Sequence, residues 1–397
     1  MKTIIIAFLF AASTASAQWV QTSALVSRTS WCMRASGQTI FAGTEDGITR
    51  STDNGLTWST VNTGLANTDV WSLETDGSSV FAGTAAGVFR STDNGATWEI
   101  TDTTFKNTGT ESLHLNGNHL FAGTGGSGVF RSSNNGATWD SADVGLTDNY
   151  VFTVTSSGAN IYAGTGGQGV FRSTNNGTNW TPLASGVYPI VRALTCFAGS
   201  IYAGGANGTY RSTNDGSSWT SSSSGLTNNF ILNFSVYQSN IFACGHGGVY
   251  VSTDSGSTWI EMNLGLPQKG VHSIAIAGTT IFAGVDSSGI WRRALGDVVS
   301  AIRDVGDPLP DRFAVDQNFP NPFNPTTTIT FSVPQNVHVT ITVFDILGHQ
   351  IQTLISQEYS AGTFNVGWNA SLLPSGVYVY RIQAGAFQAT RKMVLQK

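Results

Sequence analysis

Short apolar runs of four to six residues alternate along most of the chain with clusters of Gly, Asn, Asp, Ser and Thr. One phrase, an aliphatic residue followed by Phe or Tyr, Ala and Gly, recurs with small variations at intervals of 40 or 41 residues. Its aromatic position is occupied by Phe41, Phe81, Phe121, Tyr162, Tyr202, Phe242 and Phe282. Runs this short, bounded by turn-forming residues, predict β-strands, and their fixed spacing predicts one unit repeated in tandem.

Each repeat unit contains four strand-like runs. In the second unit these are Val70–Thr75, Ser79–Gly83, Gly87–Ser91 and Thr97–Thr101. Four short strands in about 40 residues are typical of one blade of a β-propeller. A single blade cannot bury both of its faces, so blades stack in a ring. The pattern therefore predicts an all-β fold whose main domain is a propeller.

A second phrase, Ser-x-Asp/Asn-x-Gly-x-x-Trp, follows the first in six units, beginning with Ser51–Trp58. Its third position holds Asp53, Asp93, Asn134, Asn175, Asn214 or Asp254, and its last holds Trp58, Trp98, Trp139, Trp180, Trp219 or Trp259. The Asp or Asn side chain accepts hydrogen bonds from turn amides, the Gly permits positive φ, and the Trp buries a large ring. The phrase resembles the Asp-box of BNR-like repeats in sialidase-like and sortilin-like propellers, where it lies on the rim. The resemblance implies that all six copies are structural turns.

The first and last units are incomplete in a complementary way. The seventh unit has its aromatic at Phe282 but loses the pattern after residues 290–292. Residues 18–21, Gln-Trp-Val-Gln, look like the strand that follows each box, and Trp19 precedes Trp58 by 39 residues. The spacing therefore predicts a seven-bladed propeller whose last blade is closed by an N-terminal strand, which removes open sheet edges.

Residues 1–17 have the composition of a secretory signal peptide. Lys2 forms a basic n-region, Thr3–Ala12 is apolar, and Ala15-Ser16-Ala17 is an A-x-A cleavage site. The apolar run is far shorter than the ~20 residues of a membrane-spanning helix. The mature chain is therefore expected to begin at Gln18, directly before the closing strand.

The repeats end near residue 294, and a different pattern follows. Apolar and polar residues alternate over Thr326–Val333 and Val337–Phe344, which predicts a small Ig-like antiparallel β-sandwich. The segments Gln317–Ile329 and Leu373–Arg381, in this order along the chain, closely resemble the type A sorting domain of the bacterial type IX secretion system. His349 is a departure, because the family usually has Arg there.

This resemblance implies recognition by the outer-membrane translocon of the type IX system. It also implies removal of the domain near the linker, followed by release or by anchoring to surface lipopolysaccharide. The sequence thus predicts four parts: a signal peptide at 1–17, a propeller at 18–294, a linker at 295–312 and a sorting domain at 313–397.

Composition and charge narrow the range of functions that the chain can have. Charged residues make up only 11% of 397 residues, and the formal net charge is -5. A weakly acidic chain without a Lys/Arg block argues against nucleic-acid binding. The odd number of cysteines leaves open either a Cys196–Cys244 bridge or three buried thiols that include Cys32. No metal or cofactor is expected, and His114 and His246 are interpreted as ordinary histidines.

The signatures of propeller hydrolases are incomplete. Sialidase-like propellers use an Arg cluster, a Tyr–Glu nucleophile pair and an acid, but five of the fourteen arginines here directly precede a box and so lie on the periphery. These are Arg50, Arg90, Arg131, Arg172 and Arg211. Xyloglucanase-like glycosidases use two carboxylates across a cleft. The non-repeating acids form no pair that the sequence can place, and no catalytic residue is assigned: Asp46, Glu111, Asp148 and Asp286.

The repeat itself identifies a candidate binding site. The position ten residues before each aromatic begins the innermost strand and changes in chemistry from blade to blade. It holds Trp31, Trp71, Glu111, Phe152, Arg192, Leu232 and His272. We expect these side chains to ring one mouth of the central channel, and all except Leu232 are candidate ligand-binding residues for a glycan or a protein loop. The alternative is that they only fill the mouth.

Two classes of function follow. The first is a secreted or surface-attached propeller that binds protein or carbohydrate without catalysis. The second is an extracellular glycoside hydrolase of the sialidase-like or xyloglucanase-like type. The repeats also resemble the propeller-type photosystem assembly factor, but the sorting domain argues against that cellular role.

Overall fold

The computed structural model describes residues 18–25, 27–101, 109–183, 186–267, 270–295, 312–335, 337–359, 362–371 and 373–396. The predicted signal peptide and most of the predicted linker lie outside these residues. The chain divides into two compact units, Met1–Gly296 and Asp297–Lys397. Both units are built from β-strands where they are described, which confirms the predicted all-β class. Within the same residues, no helix has the length and apolar character needed to cross a bilayer.

The described part of the N-terminal unit forms seven four-stranded antiparallel sheets, the blades of a propeller. The innermost strands are Ser30–Ser36, Val70–Thr75, Thr110–Asn116, Val151–Ser157, Val191–Phe197, Ile231–Tyr237 and Val271–Ala277. The second strands are Thr39–Thr44, Val80–Thr84, His119–Thr124, Asn160–Thr165, Ser200–Gly205, Asn240–Gly245 and Thr280–Val285. The third strands are Gly47–Ser51, Gly87–Ser91, Val129–Ser132, Val170–Ser173, Gly208–Ser212, Gly248–Ser252 and Gly289–Ala294. The outermost strands of blades 1 to 6 are Ser59–Thr60, Glu99–Ile100, Asp140–Ser141, Thr181–Pro182, Thr220–Ser221 and Ile260–Glu261.

Blade 7 takes its outermost strand from the N-terminus. Val20–Gln21 pairs antiparallel with the third strand of this blade. Trp19, just before it, is 2% exposed, and its Nε1 donates to the carbonyl oxygen of Met262 at 2.6 Å. The box residue Trp259 donates in the same way to Ser222. Trp19 therefore replaces the missing seventh box tryptophan, and the predicted seven-bladed fold is confirmed.

In several blades, an arginine on the third strand forms a hydrogen bond with the backbone of the neighbouring blade. Arg50 Nη1 donates to the carbonyl oxygen of Asn94 at 2.5 Å, and Arg292 Nη1 of blade 7 donates to that of Asn54 in blade 1 at 3.0 Å. The innermost strands also contact their neighbours all round, the first against the seventh. The repeated arginines thus contribute to inter-blade packing, and the last link closes the ring.

The six box turns share one hydrogen-bond pattern. In the first, Asp53 Oδ1 accepts bonds from Thr57 N at 2.9 Å and Ser51 Oγ at 2.8 Å, and Ser51 Oγ accepts one from Gly55 N at 2.8 Å. Gly55 has φ 75°, in the left-handed region that favours glycine. Five box tryptophans are at most 9% exposed. Trp58 is only half-buried: its Nε1 bonds to Gly55 inside its own turn, while its ring packs edge to face on Phe282 of blade 7.

The C-terminal unit is a small antiparallel sandwich of two sheets. The strands of one sheet, in spatial order, are Ala314–Val315, Thr326–Val333 and Gly362–Asn369. Those of the other are Gln350–Tyr359, Val337–Asp345, Gly376–Ala384 and Phe387–Leu395. Alternate residues such as Ile329, Phe331, Ile341 and Tyr380 are fully buried between the sheets. This architecture agrees with the predicted Ig-like sandwich.

The three cysteines are free thiols. Cys196 lies on the innermost strand of blade 5 and Cys244 on the second strand of blade 6, so the bridge that the sequence left open is not formed. Burial raises the pKa of Cys32 and of Cys196 to about 12. The thiols therefore behave as small apolar groups at neutral pH.

Candidate functional site

A β-bulge in every blade positions the candidate ring. The pairing of the innermost strand with the second strand shifts register near its start in all seven blades, and each shift skips one residue. The skipped residues are Trp31, Trp71, Glu111, Phe152, Arg192, Leu232 and His272. A bulge leaves its extra residue outside the ladder and re-aims the side chain. All seven residues line one cavity of about 950 Å³, the central channel.

One side of this mouth is aromatic. The rings of Trp31 and His272 meet edge to face, with centroids 4.8 Å apart. Trp71 packs so closely over the backbone of Gly109 that a Cβ there would lie 1.9 Å from Trp71 Cζ3. Burial lowers the pKa of His272, so its ring is neutral at pH 7. Blades 7, 1 and 2 therefore present flat, uncharged rings to the channel.

On the other side of the mouth, a row of side chains in contact with one another extends across blades 3, 4 and 5. The guanidinium carbon of Arg192 lies 4.0 Å from the ring centroid of Phe152, a cation–π contact. The ring of Phe152 lies 4.7 Å from that of Tyr150. The Tyr150 hydroxyl donates to Glu111 Oε1 at 2.8 Å. Each of these side chains is thus held in place by the next.

Burial shifts the pKa values of two groups in this row, Glu111 and Tyr150. It raises the pKa of Glu111 above its usual value, and the charge of Asp69 adds to this effect. The hydrogen bond from Tyr150 and the charge of Arg192 oppose it. Burial and the bond to Glu111 raise the pKa of Tyr150 to about 12. At neutral pH the phenol is therefore a hydrogen-bond donor and not a phenolate nucleophile.

Three aromatic residues beside the ring were not among the candidate binding residues: Tyr150, Phe230 and His246, the last interpreted as an ordinary histidine. The rings of Phe230 and His246 stack with centroids 4.2 Å apart and an interplanar angle of 8°. Tyr150 and Phe230 both stand two residues before a bulge residue. The repeat spacing that identified the ring would therefore have found them at a position two residues earlier.

Three residues beyond the bulge, a second set of charged side chains lies inside the channel. Arg34 forms an ion pair with Glu74, whose side chain is 2% exposed. His114 Nε2 lies 2.8 Å from Ser156 Oγ. Burial lowers the pKa of His114 to about 4, and the positive charge of Arg34 adds to this shift. The charged and polar groups at this level of the channel are therefore paired within the protein.

We expect His114→Gln to flatten the acid side of the stability profile. The folded-state pKa of His114 is about 4, below its usual value of 6.5, so between these values the unfolded chain binds a proton that the folded chain does not. Wild-type stability therefore falls as the pH drops through this window, by about 2 kcal/mol at pH 5 from this group. The melting temperature should fall between pH 7 and pH 5 by about 4–8 °C less in the variant than in the wild type. The exposed His246→Gln is the control, and an unchanged difference in His114→Gln would contradict the assignment.

The comparisons with known proteins identify the class of this one. Residues 317–396 match the family described as a secretion system C-terminal sorting domain, and residues 147–284 match the DUF6242 beta propeller domain. The protein is therefore a propeller exported by type IX secretion to the cell surface or the extracellular space. No curated protein matches the chain.

Three solved structures are similar in fold. The extracellular domain of a B. thetaiotaomicron protein, described as a one component system, is 14% identical with a TM-score of 0.59, over 96% of this chain and 59% of its own. YCF48 bound to D1 peptide is 15% identical with a TM-score of 0.57, over 70% and 94%. The GH74 xyloglucanase from Xanthomonas campestris is 16% identical with a TM-score of 0.54, over 79% and 59%. The chain thus spans about 59% of the first and third structures, and the likeness concerns the fold alone.

Proposed function

We propose that this protein is a non-catalytic binding module that holds an extracellular protein or carbohydrate at the mouth of its propeller channel. The ligand-binding residues are Trp31, Trp71, Glu111, Phe152, Arg192 and His272. The observation that carries the proposal is the bulge position, which has the same backbone geometry in seven blades but aromatic or charged side chains of different chemistry in six.

The contrast with the packing positions of the repeat supports this proposal. The aromatic at Phe41 and its equivalents is Phe or Tyr in all seven blades, because each fills the same space between neighbours. The bulge position faces the cavity instead, and it holds six different residue types in seven blades. Seven equivalent packing sites need only one kind of residue, whereas an asymmetric ligand requires several.

The route of export is part of the proposal. Residues 1–17 act as a signal peptide that delivers the chain to the periplasm, and the C-terminal domain then directs it through the outer membrane. The six turns are Asp-boxes of the BNR kind and have a structural role. Among similar folds, YCF48 is bound to a peptide and another protein is a xyloglucanase, so both ligand classes are reasonable for a propeller of this kind.

Binding should depend on the two tryptophans of the mouth. Probing a glycan and peptide array with the mature chain selects a ligand, whose affinity is then measured by calorimetry. Trp31→Ala and Trp71→Ala are each expected to weaken binding about 30-fold, because a central aromatic contact is worth about 2 kcal/mol. The control is Trp58→Ala, a half-buried tryptophan outside the cavity. Wild-type affinity in both mouth variants would rule out the proposed site.

A glycoside hydrolase is the second candidate, and Glu111 favours it. Its pKa is raised by burial, as a general acid requires, and the carboxylate of Asp69 lies close enough to influence it. The protonated state of Tyr150 argues against a phenolate nucleophile. Chromatography of the bound oligosaccharide after long incubation separates the candidates. An intact ligand supports binding, whereas cleavage that Glu111→Gln abolishes would establish the hydrolase.

A further inference from the structure

We infer that the ligand of the channel mouth is a polyuronate, a polysaccharide whose sugar rings carry carboxylates, and that Arg192 binds the carboxylate. This inference rests on the proposed function, because it names the chemistry of the ligand for the same site.

The position of Arg192 is the first observation. Its side chain is exposed at the mouth although its chain neighbours Val191 and Ala193 are buried. Among the described residues, no carboxylate lies within ion-pair distance of its guanidinium group. Other arginines differ: Arg28 is paired with carboxylates, and Arg131 Nη1 donates to a backbone carbonyl at 2.7 Å.

The support beneath Arg192 is the second observation. The ring of Phe152 fixes the guanidinium from one side at 4.0 Å. A guanidinium held on an aromatic face keeps its N–H donors available in a fixed fork that matches a carboxylate. The acid of the ring, Glu111, is instead bonded by Tyr150. The positive charge at this side of the mouth is therefore pre-organised and open to an anion from solution.

The aromatic side of the mouth is the third observation. Trp31 and Trp71 line the same cavity as Arg192, and a volume of about 950 Å³ accommodates a short stretch of polymer. A polyuronate presents along one stiff backbone apolar ring faces for the tryptophans, hydroxyls for Glu111, and carboxylates for Arg192. An acidic peptide carries its carboxylates on flexible side chains, whose ordering opposes binding. The polyuronate is thus the better fit.

A pair of ligands that differ only in charge tests the inference. Oligogalacturonates and their methyl esters share one backbone, and the ester lacks the carboxylate charge. Calorimetry with the mature chain should show binding of the oligogalacturonate acid form. If the site prefers uronates of another stereochemistry, alginate oligomers should bind instead. The ester should bind at least about tenfold more weakly, because a charge-assisted bidentate contact is lost. The affinity of the acid form should also fall as the ionic strength rises.

Variants of Arg192 locate the contact. Arg192→Gln should lower the affinity for the acid form at least about tenfold and leave that for the ester unchanged. The affinity of Arg192→Lys for the acid form should lie between those of the wild type and Arg192→Gln, because lysine keeps the charge but lacks the two-pronged hydrogen-bond geometry of the guanidinium group. Arg131→Gln, which also removes an arginine charge but lies outside the cavity, should bind like the wild type. Thermal melts of all variants verify that they are folded.

Three results would overturn the inference. The first is equal binding of acid and ester, or wild-type binding by Arg192→Gln; if Trp31→Ala still loses affinity, the proposed site then stands without its carboxylate partner. The second is that neither oligogalacturonates nor alginate oligomers bind while poly-glutamate peptides do, which would make the ligand an acidic protein. The third is binding that no mouth variant changes, which would overturn the proposed function as well.

Discussion

Replacing Trp19 with Ala is expected to lower the melting temperature of the propeller by about 6–20 °C. Trp19 is 2% exposed, its Nε1 donates to Met262, and its backbone amide donates to the carbonyl oxygen of Leu264 at 2.9 Å. Truncating a buried Trp costs about 3–5 kcal/mol, and each kcal/mol shifts the melting temperature of a domain this large by about 2–4 °C. Deleting residues 18–23 also removes the closing strand and should lower it further.

The neighbouring residue provides the control for this prediction. Val20 begins the closing strand but is 53% exposed, so Val20→Ala keeps the backbone pairing and removes little buried surface. Its melting temperature should stay within about 2 °C of the wild type. Calorimetry of the three mature chains makes the comparison. If the deletion melts like the wild type, blade 7 is not closed by the N-terminus.

Removing residues 313–397 is expected to abolish export across the outer membrane. The propeller would then accumulate in the periplasm, because the matched sorting domain carries the type IX signal. Cell fractionation and protease treatment of intact cells measure the exposed fraction, which should fall to background.

A point variant in one turn of the same domain provides the control for the truncation. His349 is exposed and pairs with Asp345 at 3.0 Å in the turn after the second long strand of the sandwich. His349→Arg introduces the residue usual at this position in the family that the domain resembles, and this variant should be exported normally. Surface exposure of the truncated chain would contradict the assigned route.

The repeat made most of the propeller predictable from the sequence. Phe41 and its equivalents define the blades, and the distance from Trp19 to Trp58 gives their number, because identical packing requires identical spacing. The ends of the outermost strands were less predictable. The run Thr97–Thr101 yields only the strand Glu99–Ile100, because the amide of Trp98 donates to Thr63 in the neighbouring blade. Such inter-blade bonds leave no local pattern.

The seven positions of the candidate ring could be predicted from the sequence, whereas the contacts between their side chains could not. The spacing selected all seven bulge residues, since one register shift recurs in every blade. The bond between Tyr150 and Glu111 and the packing of Arg192 on Phe152 join residues about 40 positions apart. The directions of their side chains depend on the twist between blades, which a single sequence does not specify.

Oxidative footprinting with and without ligand tests the central claim most directly. The mature chain is exposed to hydroxyl radicals at saturating concentration of the oligosaccharide or peptide that it binds best, and mass spectrometry quantifies oxidation at each tryptophan. We expect protection of Trp31 and Trp71 at the mouth, and none of Trp58 or Trp291 outside the cavity. Protection confined to Trp58, Trp291 or the outermost strands, with the mouth unchanged, would contradict the account.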